Sequence, residues 1–157
     1  VVTFHDRRFG DVRVDPTTLG DPVLVRRDGQ IGYNLAVVAD DLADGVTEVV
    51  RGADLLEHTA VQLRLYEALG AVPPSFLHTP LILGADGRKL GKSHASTAIA
   101  DLRDAGWTPQ DVWSTVLPWI GASGDALPSA LPRWDPTAGP RGPITWTPRP
   151  LTAGASP

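Results

Sequence analysis

Apolar and polar residues alternate at the start of the chain. The stretch VVTFHDRRFGDVRVD alternates on both sides of Phe9-Gly10-Asp11, and a period of two residues is typical of strands. We therefore predict two short strands joined by a turn. A third strand, PVLVRR, is predicted before the next turn at Asp28-Gly29. The apolar run of the following segment, IGYNLAVVADD, could be a strand or a buried helix, and its length favours a helix for its second half.

The middle of the chain changes from strand to helix and back. The short β-branched stretch TEVVRG predicts a buried strand that ends at Gly52. From Asp54 onward, apolar residues recur at helical spacing until Gly70, which we predict as the residue that ends the helix. We then predict an extended segment, PPSFLHT, followed by a strand, PLILG, and a turn at Ala85-Asp86-Gly87.

Two more helices are predicted before the proline-rich end. One spans about Ser96 to Ala105, and the other begins with Thr108 as N-cap and Pro109 at its first position. Strands that alternate with helices indicate an α/β fold, which we assign to residues 1–125.

The last part of the chain has a different composition. Beyond Asp125, prolines recur every few residues, and this spacing is incompatible with a regular helix or a central strand. We predict an irregular, extended tail over residues 126–157, held in place where Trp134 and Trp146 pack.

Length and charge restrict the possible functions. The 157 residues are the size of one ordinary domain, so a single core is expected. The net charge is −4, so no overall positive field favours nucleic acid, and a contact with RNA would need a local basic patch.

The residue types exclude several kinds of site. The chain has no cysteine, and its four histidines show no metal-ligand spacing, so we predict neither a zinc site nor any other metal site built by this chain. No apolar run approaches the roughly 18 residues of a membrane span, and no signal-peptide core is present. The cytoplasm is the simplest location, with no membrane partner.

The segment RKLGKSH carries the first candidate chemistry. Lys89 and Lys92 flank Gly91 directly after a predicted strand and turn. Two ammonium groups and a glycine loop could bind phosphates, although no P-loop pattern is present. A solvated basic turn is the other interpretation, and the spacing alone favours it.

Arg51 and Tyr33 are the second and third candidates. Arg51 lies at the end of a predicted buried strand, where α/β folds present functional side chains, and an arginine fork suits a carboxylate. An ion pair with Asp40, Asp41 or Asp54 is the other interpretation, and the position of Arg51 alone somewhat favours it. Tyr33 has a polar tip next to an apolar run, and such a tyrosine usually forms a hydrogen bond in the core.

These features occur in an order that matches a known family. The segment from DGQIGYNLAVVADD through VVRGADLL to PLILGADGRKLGKS resembles the C-terminal half of the catalytic domain of class I glutamyl-tRNA synthetases. It is most similar to their short paralogues, the glutamyl-Q tRNA(Asp) synthetases. The stretch WDPTAGPRGP resembles the end of these paralogues. The resemblance covers residues 1–125 and implies a Rossmann-type α/β catalytic domain.

The resemblance assigns roles to the candidate residues. It implies that RKLGKSH is the family's KMSKS-type loop, in which Lys92 stabilises the ATP phosphates and Lys89 supports it. Tyr33 and Arg51 match the glutamate-binding tyrosine and arginine. The residues expected near the adenine are Leu81, Ile82 and Leu83.

The implied function is activation of glutamate with ATP and Mg²⁺, followed by transfer to a tRNA, onto queuosine of tRNA(Asp) in the glutamyl-Q manner. Two departures favour a different hypothesis. Gly91 replaces the usual serine between the lysines, and the family's first half, with its H-I-G-H-type motif, is absent from these residues. The enzyme hypothesis therefore needs an N-terminal half or a partner chain. The alternative is a truncated, inactive domain that serves as a binding or assembly module.

Overall fold

The computed structural model describes residues 1–91, 98–124 and 126–147. The chain divides into two compact units, Val1–Thr79 and Pro80–Pro157. The single core expected from the length is therefore wrong, because each unit has its own strands, helices and buried side chains. The predicted boundary after residue 125 stays a prediction.

A four-stranded mixed sheet forms the first unit. Its strands are β1 (Val2–Asp6), β2 (Gly10–Val14), β3 (Glu48–Gly52) and β4 (Ser75–Thr79). The order across the sheet is β2-β1-β4-β3. β1 and β2 form an antiparallel hairpin, whereas β4 runs parallel to both β1 and β3. The α/β class predicted from the sequence is confirmed.

Two strand predictions for this unit need correction. The stretch PVLVRR forms only an isolated bridge between Val25 and Ile31, because a tight turn brings these two residues together without extending into a ladder. The stretch SFLHT, predicted only as extended, is the inner strand β4. Its partners β1 and β3 lie far away along the chain, so the pairing is not visible in the local sequence.

Two helices belong to this unit, α1 (Tyr33–Asp44) and α2 (His58–Ala68). The helix predicted after Asp28-Gly29 is confirmed as α1. The helix predicted from Asp54 is interrupted, since a short 3₁₀ turn, Ala53–Leu55, precedes α2. α2 packs against α1 and β1 and buries both apolar and polar side chains.

The second unit contains smaller elements. They are β5 (Ile82–Leu83), α3 (Ile99–Asp104), α4 (Pro109–Val116), α5 (Leu127–Ala130) and β6 (Ile144–Thr145). β5 and β6 pair in parallel. The strand predicted over PLILG is shorter in the structure, where β5 contains two residues.

The caps and the tail of this unit follow the prediction in part. Thr108 caps α4, because its hydroxyl accepts a hydrogen bond from the backbone of Asp111 at 3.2 Å. Residues 127–133 are helical rather than extended. Trp134 donates its indole N–H to the carbonyl of Ile120 at 2.9 Å, and Trp146 packs edge-on against other tryptophans. The prediction that these two tryptophans hold the tail is confirmed.

The apolar centre of the second unit is formed by Leu117, Ala122 and Ala130, with four larger side chains packed around them. Those four are Trp113, Ile120, Leu127 and Trp134. Within the described ranges, no helix has the length and apolar character needed to cross a membrane.

Candidate functional site

Three polar side chains lie at the carboxyl ends of the three parallel strands. Asp6 is the last residue of β1, and Arg51 and His78 are the penultimate residues of β3 and β4. The carboxyl ends of parallel strands meet at one edge of a sheet, which is where α/β folds bind ligands. This edge is the candidate site of the first unit.

Arg51 is held by neighbours on both β4 and α2. The strand register pairs Arg51 with His78, and the arginine Nε donates a hydrogen bond to His78 Nε2 at 3.0 Å. Its Nη2 donates to the Thr59 hydroxyl at 2.7 Å. The guanidinium also lies 5.2 Å from the centre of the Phe76 ring, a distance suited to a cation–π contact.

His78 is fully buried, and its protonation state follows from its contacts. Its Nδ1 lies 2.7 Å from Asp6 Oδ2, while Nε2 accepts from Arg51. Since an arginine only donates, Nε2 must be unprotonated and Nδ1 must carry the proton. Burial lowers the pKa of His78, and the hydrogen bond to Asp6 only partly opposes this effect. The ring is therefore a neutral link between an acid and a cation.

Asp6 is also fully buried, and its carboxylate is saturated with donors. Oδ2 accepts from the ring and the backbone N–H of His78, the latter at 3.1 Å. Oδ1 accepts from the backbone N–H groups of Arg8 and Phe9, at 2.9 and 2.8 Å. Asp6 thus connects the turn of the first hairpin, through hydrogen bonds, to the ring of His78.

Tyr33 and Arg51, the two residues expected to bind glutamate, lie together. Tyr33 is the first residue of α1 and is 56% exposed. Burial lowers the pKa of Arg51, whereas a hydrogen bond with Tyr33 and the carboxylates of Asp41 and Asp54 act in the opposite direction. Two of the three acids considered as partners of Arg51 therefore act on it electrostatically.

The position of Tyr33 depends on the glycine before it. Gly32 caps α1 and donates its N–H to the carbonyl of Leu24 at 2.8 Å. A Cβ atom at Gly32 would overlap the carbonyl oxygen of Val23. Only glycine therefore allows this close approach of two backbone segments at the start of the helix.

Neighbouring polar residues of α1 are held by α2. The side chain of Asn34 accepts a hydrogen bond from the buried Gln62 at 3.2 Å. Burial raises the pKa of Tyr66, and the carboxylate of Asp41 raises it further. The carboxylate of Asp41 therefore acts to raise the pKa of both Tyr66 and Arg51. Polar residues of α1 and α2 thus lie next to the candidate site.

Lys89 lies in a different setting, in the second unit. It is exposed and forms an isolated bridge with Leu83, on the return arm of a hairpin. The hairpin turns at the predicted position, where Gly87 has a φ of +73° that favours glycine. Gly91 is exposed as well. Lys92 lies outside the described residues.

The residues expected near the adenine are half-buried, and their carbonyl groups already accept backbone hydrogen bonds. The carbonyls of Leu81 and Leu83 accept from Ile144 and Trp146, each at 2.8 Å. The carbonyl of Ile82 accepts from Leu90 at 2.8 Å. These carbonyl groups therefore already take part in the backbone hydrogen bonding of the second unit.

No metal-binding cluster is present in the part of the chain that the structure describes. Within these ranges, no three His, Asp or Glu side chains gather as ligands. Mg²⁺ that arrives with a nucleotide needs only one or two carboxylates, and no residue of this chain is assigned to the ion.

Sequence reasoning missed Asp6, Thr59 and His78. The spacing of the histidines along the chain matches no site, and His78 lies 72 positions from its partner Asp6. The only sequence signal is that both residues stand at the end of a strand. Since SFLHT was not predicted as a strand, that signal could not be used.

The match with known proteins covers most of the chain. Residues 1–123 match the family described as tRNA synthetases class I (E and Q), catalytic domain. A glutamyl-Q tRNA(Asp) synthetase from Xanthomonas campestris pv. campestris (strain 8004) is 48% identical over 87% of this chain and 43% of its own length. A glutamate–tRNA ligase from Legionella pneumophila (strain Corby) is 43% identical over 69% of this chain and 23% of its own length.

A solved structure agrees with the sequence match. The crystal structure of a glutamate tRNA ligase from Elizabethkingia meningosepticum, in complex with its amino acid, superimposes with a TM-score of 0.54 and 36% identity, over 68% of this chain and 20% of that one. The chain thus spans less than half the length of these relatives. It belongs to the class I tRNA synthetases for glutamate and glutamine, within their catalytic domain.

Proposed function

We propose that this chain is part of an ATP-dependent ligase that activates glutamate and transfers it to a tRNA. The acceptor is queuosine of tRNA(Asp), as the family resemblance implies, and a relative that is 48% identical is a glutamyl-Q tRNA(Asp) synthetase. The observation that carries the proposal is the Arg51 guanidinium, held at the carboxyl edge of a parallel sheet by hydrogen bonds to His78 and Thr59.

Arg51 binds a carboxylate of glutamate in this proposal. A guanidinium presents paired N–H donors that match the two oxygens of a carboxylate, and such pairs are among the strongest hydrogen bonds in proteins. The hydroxyl of Tyr33 adds a further polar contact beside it. Both residues bind and orient the amino acid.

Lys92 and Lys89 act on ATP. A carboxylate oxygen of glutamate attacks the α-phosphorus, the bond to the β-phosphate bridge breaks, and pyrophosphate leaves with that electron pair. Fixed cations lower the barrier where negative charge gathers in the transition state. Leu81, Ile82 and Leu83 contact the adenine, and Mg²⁺ accompanies the nucleotide and neutralises part of its charge.

The proposal requires the rest of the catalytic domain. The chain corresponds to 43% of the glutamyl-Q relative, and the family resemblance assigns the H-I-G-H-type motif to the other part. That part comes from the same polypeptide or from a second chain. Because the substrate is a tRNA, we place the reaction in the cytoplasm.

Transfer of radiolabelled glutamate tests the proposal. The chain is assayed alone and together with the N-terminal half of the glutamyl-Q relative, on tRNA(Asp) with queuosine, tRNA(Asp) without it, and tRNA(Glu). We expect incorporation only with both halves and only into tRNA(Asp) with queuosine. Incorporation into tRNA(Glu) instead would identify an ordinary glutamate–tRNA ligase and contradict the glutamyl-Q assignment.

One observation favours a second candidate function, a binding or assembly module without catalysis. Gly91 replaces the serine of the KMSKS-type loop and lies exposed after the hairpin. A module of this kind would bind tRNA or a sister chain without incorporating glutamate. The Gly91→Ser variant separates the two candidates, because restored serine increases transfer only in an enzyme.

A further inference from the structure

We propose that Asp6, His78 and Thr59 are positioning residues that fix the guanidinium of Arg51 for one orientation of the substrate carboxylate. The identity of that carboxylate as glutamate rests on the proposed function. None of the three residues touches the substrate in this proposal, and each acts through Arg51.

The contacts of Arg51 define which of its donors are used. A guanidinium has five N–H donors, arranged as a side-on pair at Nε and Nη2 and an end-on pair at Nη1 and Nη2. The side-on pair binds His78 Nε2 at 3.0 Å and the Thr59 hydroxyl at 2.7 Å. The end-on pair is therefore the remaining bidentate face for a carboxylate, and Tyr33 acts on the same guanidinium.

Asp6 sets the tautomer that this arrangement needs. With Nδ1 donating to Asp6 at 2.7 Å, Nε2 of His78 presents a lone pair to Arg51. In the opposite tautomer, an N–H of His78 would face an N–H of Arg51, and the hydrogen bond would be lost. Asp6 thus controls Arg51 through the ring between them.

Thr59 provides the second fixed point. Its hydroxyl lies 3.2 Å from the carbonyl of Leu55 and 3.3 Å from the acceptor Nε2 of His78, so its single proton faces these acceptors. Its lone pairs are then directed at donors, including Nη2 of Arg51. Thr59 is fully buried on the first turn of α2. Two hydrogen bonds at two separate atoms prevent rotation of the guanidinium plane.

Burial indicates why these residues are polar. Asp6, His78 and Thr59 each have no exposed surface, and burying such groups costs free energy even when they are paired. Apolar side chains of similar volume would pack the same space without that cost. The guanidinium also lies over the Phe76 ring, which adds a cation–π contact to the two hydrogen bonds. We infer that these polar residues orient the Arg51 guanidinium for binding to the substrate carboxylate.

Two pairs of substitutions separate positioning from packing. His78→Asn keeps a donor for Asp6 but does not reach Arg51, whereas His78→Gln provides an acceptor at the Nε2 position. Thr59→Val keeps the shape and loses the hydroxyl, whereas Thr59→Ser keeps the hydroxyl. The thermal unfolding midpoint of each variant checks the fold, and the Thr59 pair decides the question if a His78 variant fails to fold.

The first measurement is the solvent-exchange rate of the Arg51 Nε–H in the 157-residue chain, followed by nuclear magnetic resonance. We expect this rate to rise about tenfold in His78→Asn and Thr59→Val, because a hydrogen bond to a charged group is lost. His78→Gln and Thr59→Ser should stay near the wild-type rate. Equal rates in all folded variants would overturn the proposal.

The second measurement is the KM for L-glutamate in ATP–pyrophosphate exchange by the chain together with the N-terminal half. We expect about a tenfold increase in His78→Asn and Thr59→Val with an unchanged KM for ATP, and recovery in the conservative variants. Loss of kcat alone would contradict positioning of the carboxylate. Absence of exchange in the wild type would overturn the proposed function, and the Nε–H exchange rates would still decide whether the network fixes Arg51.

Discussion

Arg51 and Lys89 are both assigned to substrate anions, and the fold holds them differently. Arg51 is half-buried on a strand, with hydrogen bonds to two fully buried side chains. Lys89 is exposed on the arm of a hairpin that turns at Gly87. An oriented arginine selects a fixed ligand geometry through its paired donors, whereas a lysine presents a compact positive charge to phosphates. We therefore expect Arg51 to govern KM for glutamate and the lysine loop to govern kcat.

The largest effect is expected in the lysine loop. Lys92→Ala should lower kcat for ATP–pyrophosphate exchange on the order of a hundredfold or more, because a fixed charge is removed from the transition state. The KM for glutamate and the thermal unfolding midpoint should stay near wild type. Arg88→Ala, which removes an exposed cation from the same hairpin, is the matched control and should change kcat little. Unchanged exchange kinetics in Lys92→Ala would refute the role of Lys92.

The next effect is expected at Arg51. Arg51→Lys keeps the charge and loses the paired donors, so we expect the KM for L-glutamate to rise roughly 30-fold, while the KM for ATP stays the same. Arg64→Lys is the control, since Arg64 is exposed and pairs with Glu67 on the surface of α2. A change in the KM for ATP alone would mean that Arg51 does not bind the amino acid.

Gly32→Ala tests the link between backbone packing and Tyr33. The added methyl group would overlap the carbonyl of Val23, so we expect the free energy of unfolding to fall by about 1–3 kcal/mol. The KM for glutamate should also rise severalfold, because Tyr33 follows directly. Gly142→Ala, where a Cβ atom would meet open space, is the control. Equal denaturation midpoints for the two variants would contradict the close approach at Gly32.

The smallest effect concerns pH. Burial lowers the pKa of His78 in the folded chain, so the unfolded chain binds a proton more readily. The contribution of His78 to the free energy of unfolding is fully present above about pH 6.5, the pKa of an unperturbed histidine. It is lost as the pH falls below that value. His78→Gln should flatten this part of the pH profile of unfolding, and His5→Gln, which changes an exposed ring, should retain it. An identical slope in wild type and His78→Gln would show that His78 does not contribute.

Local patterns predicted much of the fold. The first hairpin, α1, β3 and the Thr108 cap follow from periodicity and capping residues, which depend only on near neighbours. β4 was not predicted as a strand, because its strand character comes from pairing with β1 and β3, which are distant along the chain. The division into two units was missed for the same reason, since total length does not show where contacts concentrate.

The residues of the candidate site also fall into those that local patterns predict and those that depend on distant contacts. Arg51 and Tyr33 stand in motifs that a sequence presents directly, and the fold brings them together. Asp6, Thr59 and His78 belong to no motif, and they meet Arg51 only through strand register and helix packing. The residues proposed to bind the substrate were therefore easier to predict than the residues proposed to hold them.

Glutamate-dependent ATP–pyrophosphate exchange tests the central claim most directly. The chain is combined with the N-terminal half of the glutamyl-Q relative, and exchange is measured with L-glutamate, D-glutamate or L-glutamine as the only amino acid. The account predicts exchange with L-glutamate alone, abolished when either half is omitted. No exchange with L-glutamate when both halves are present and folded would contradict it.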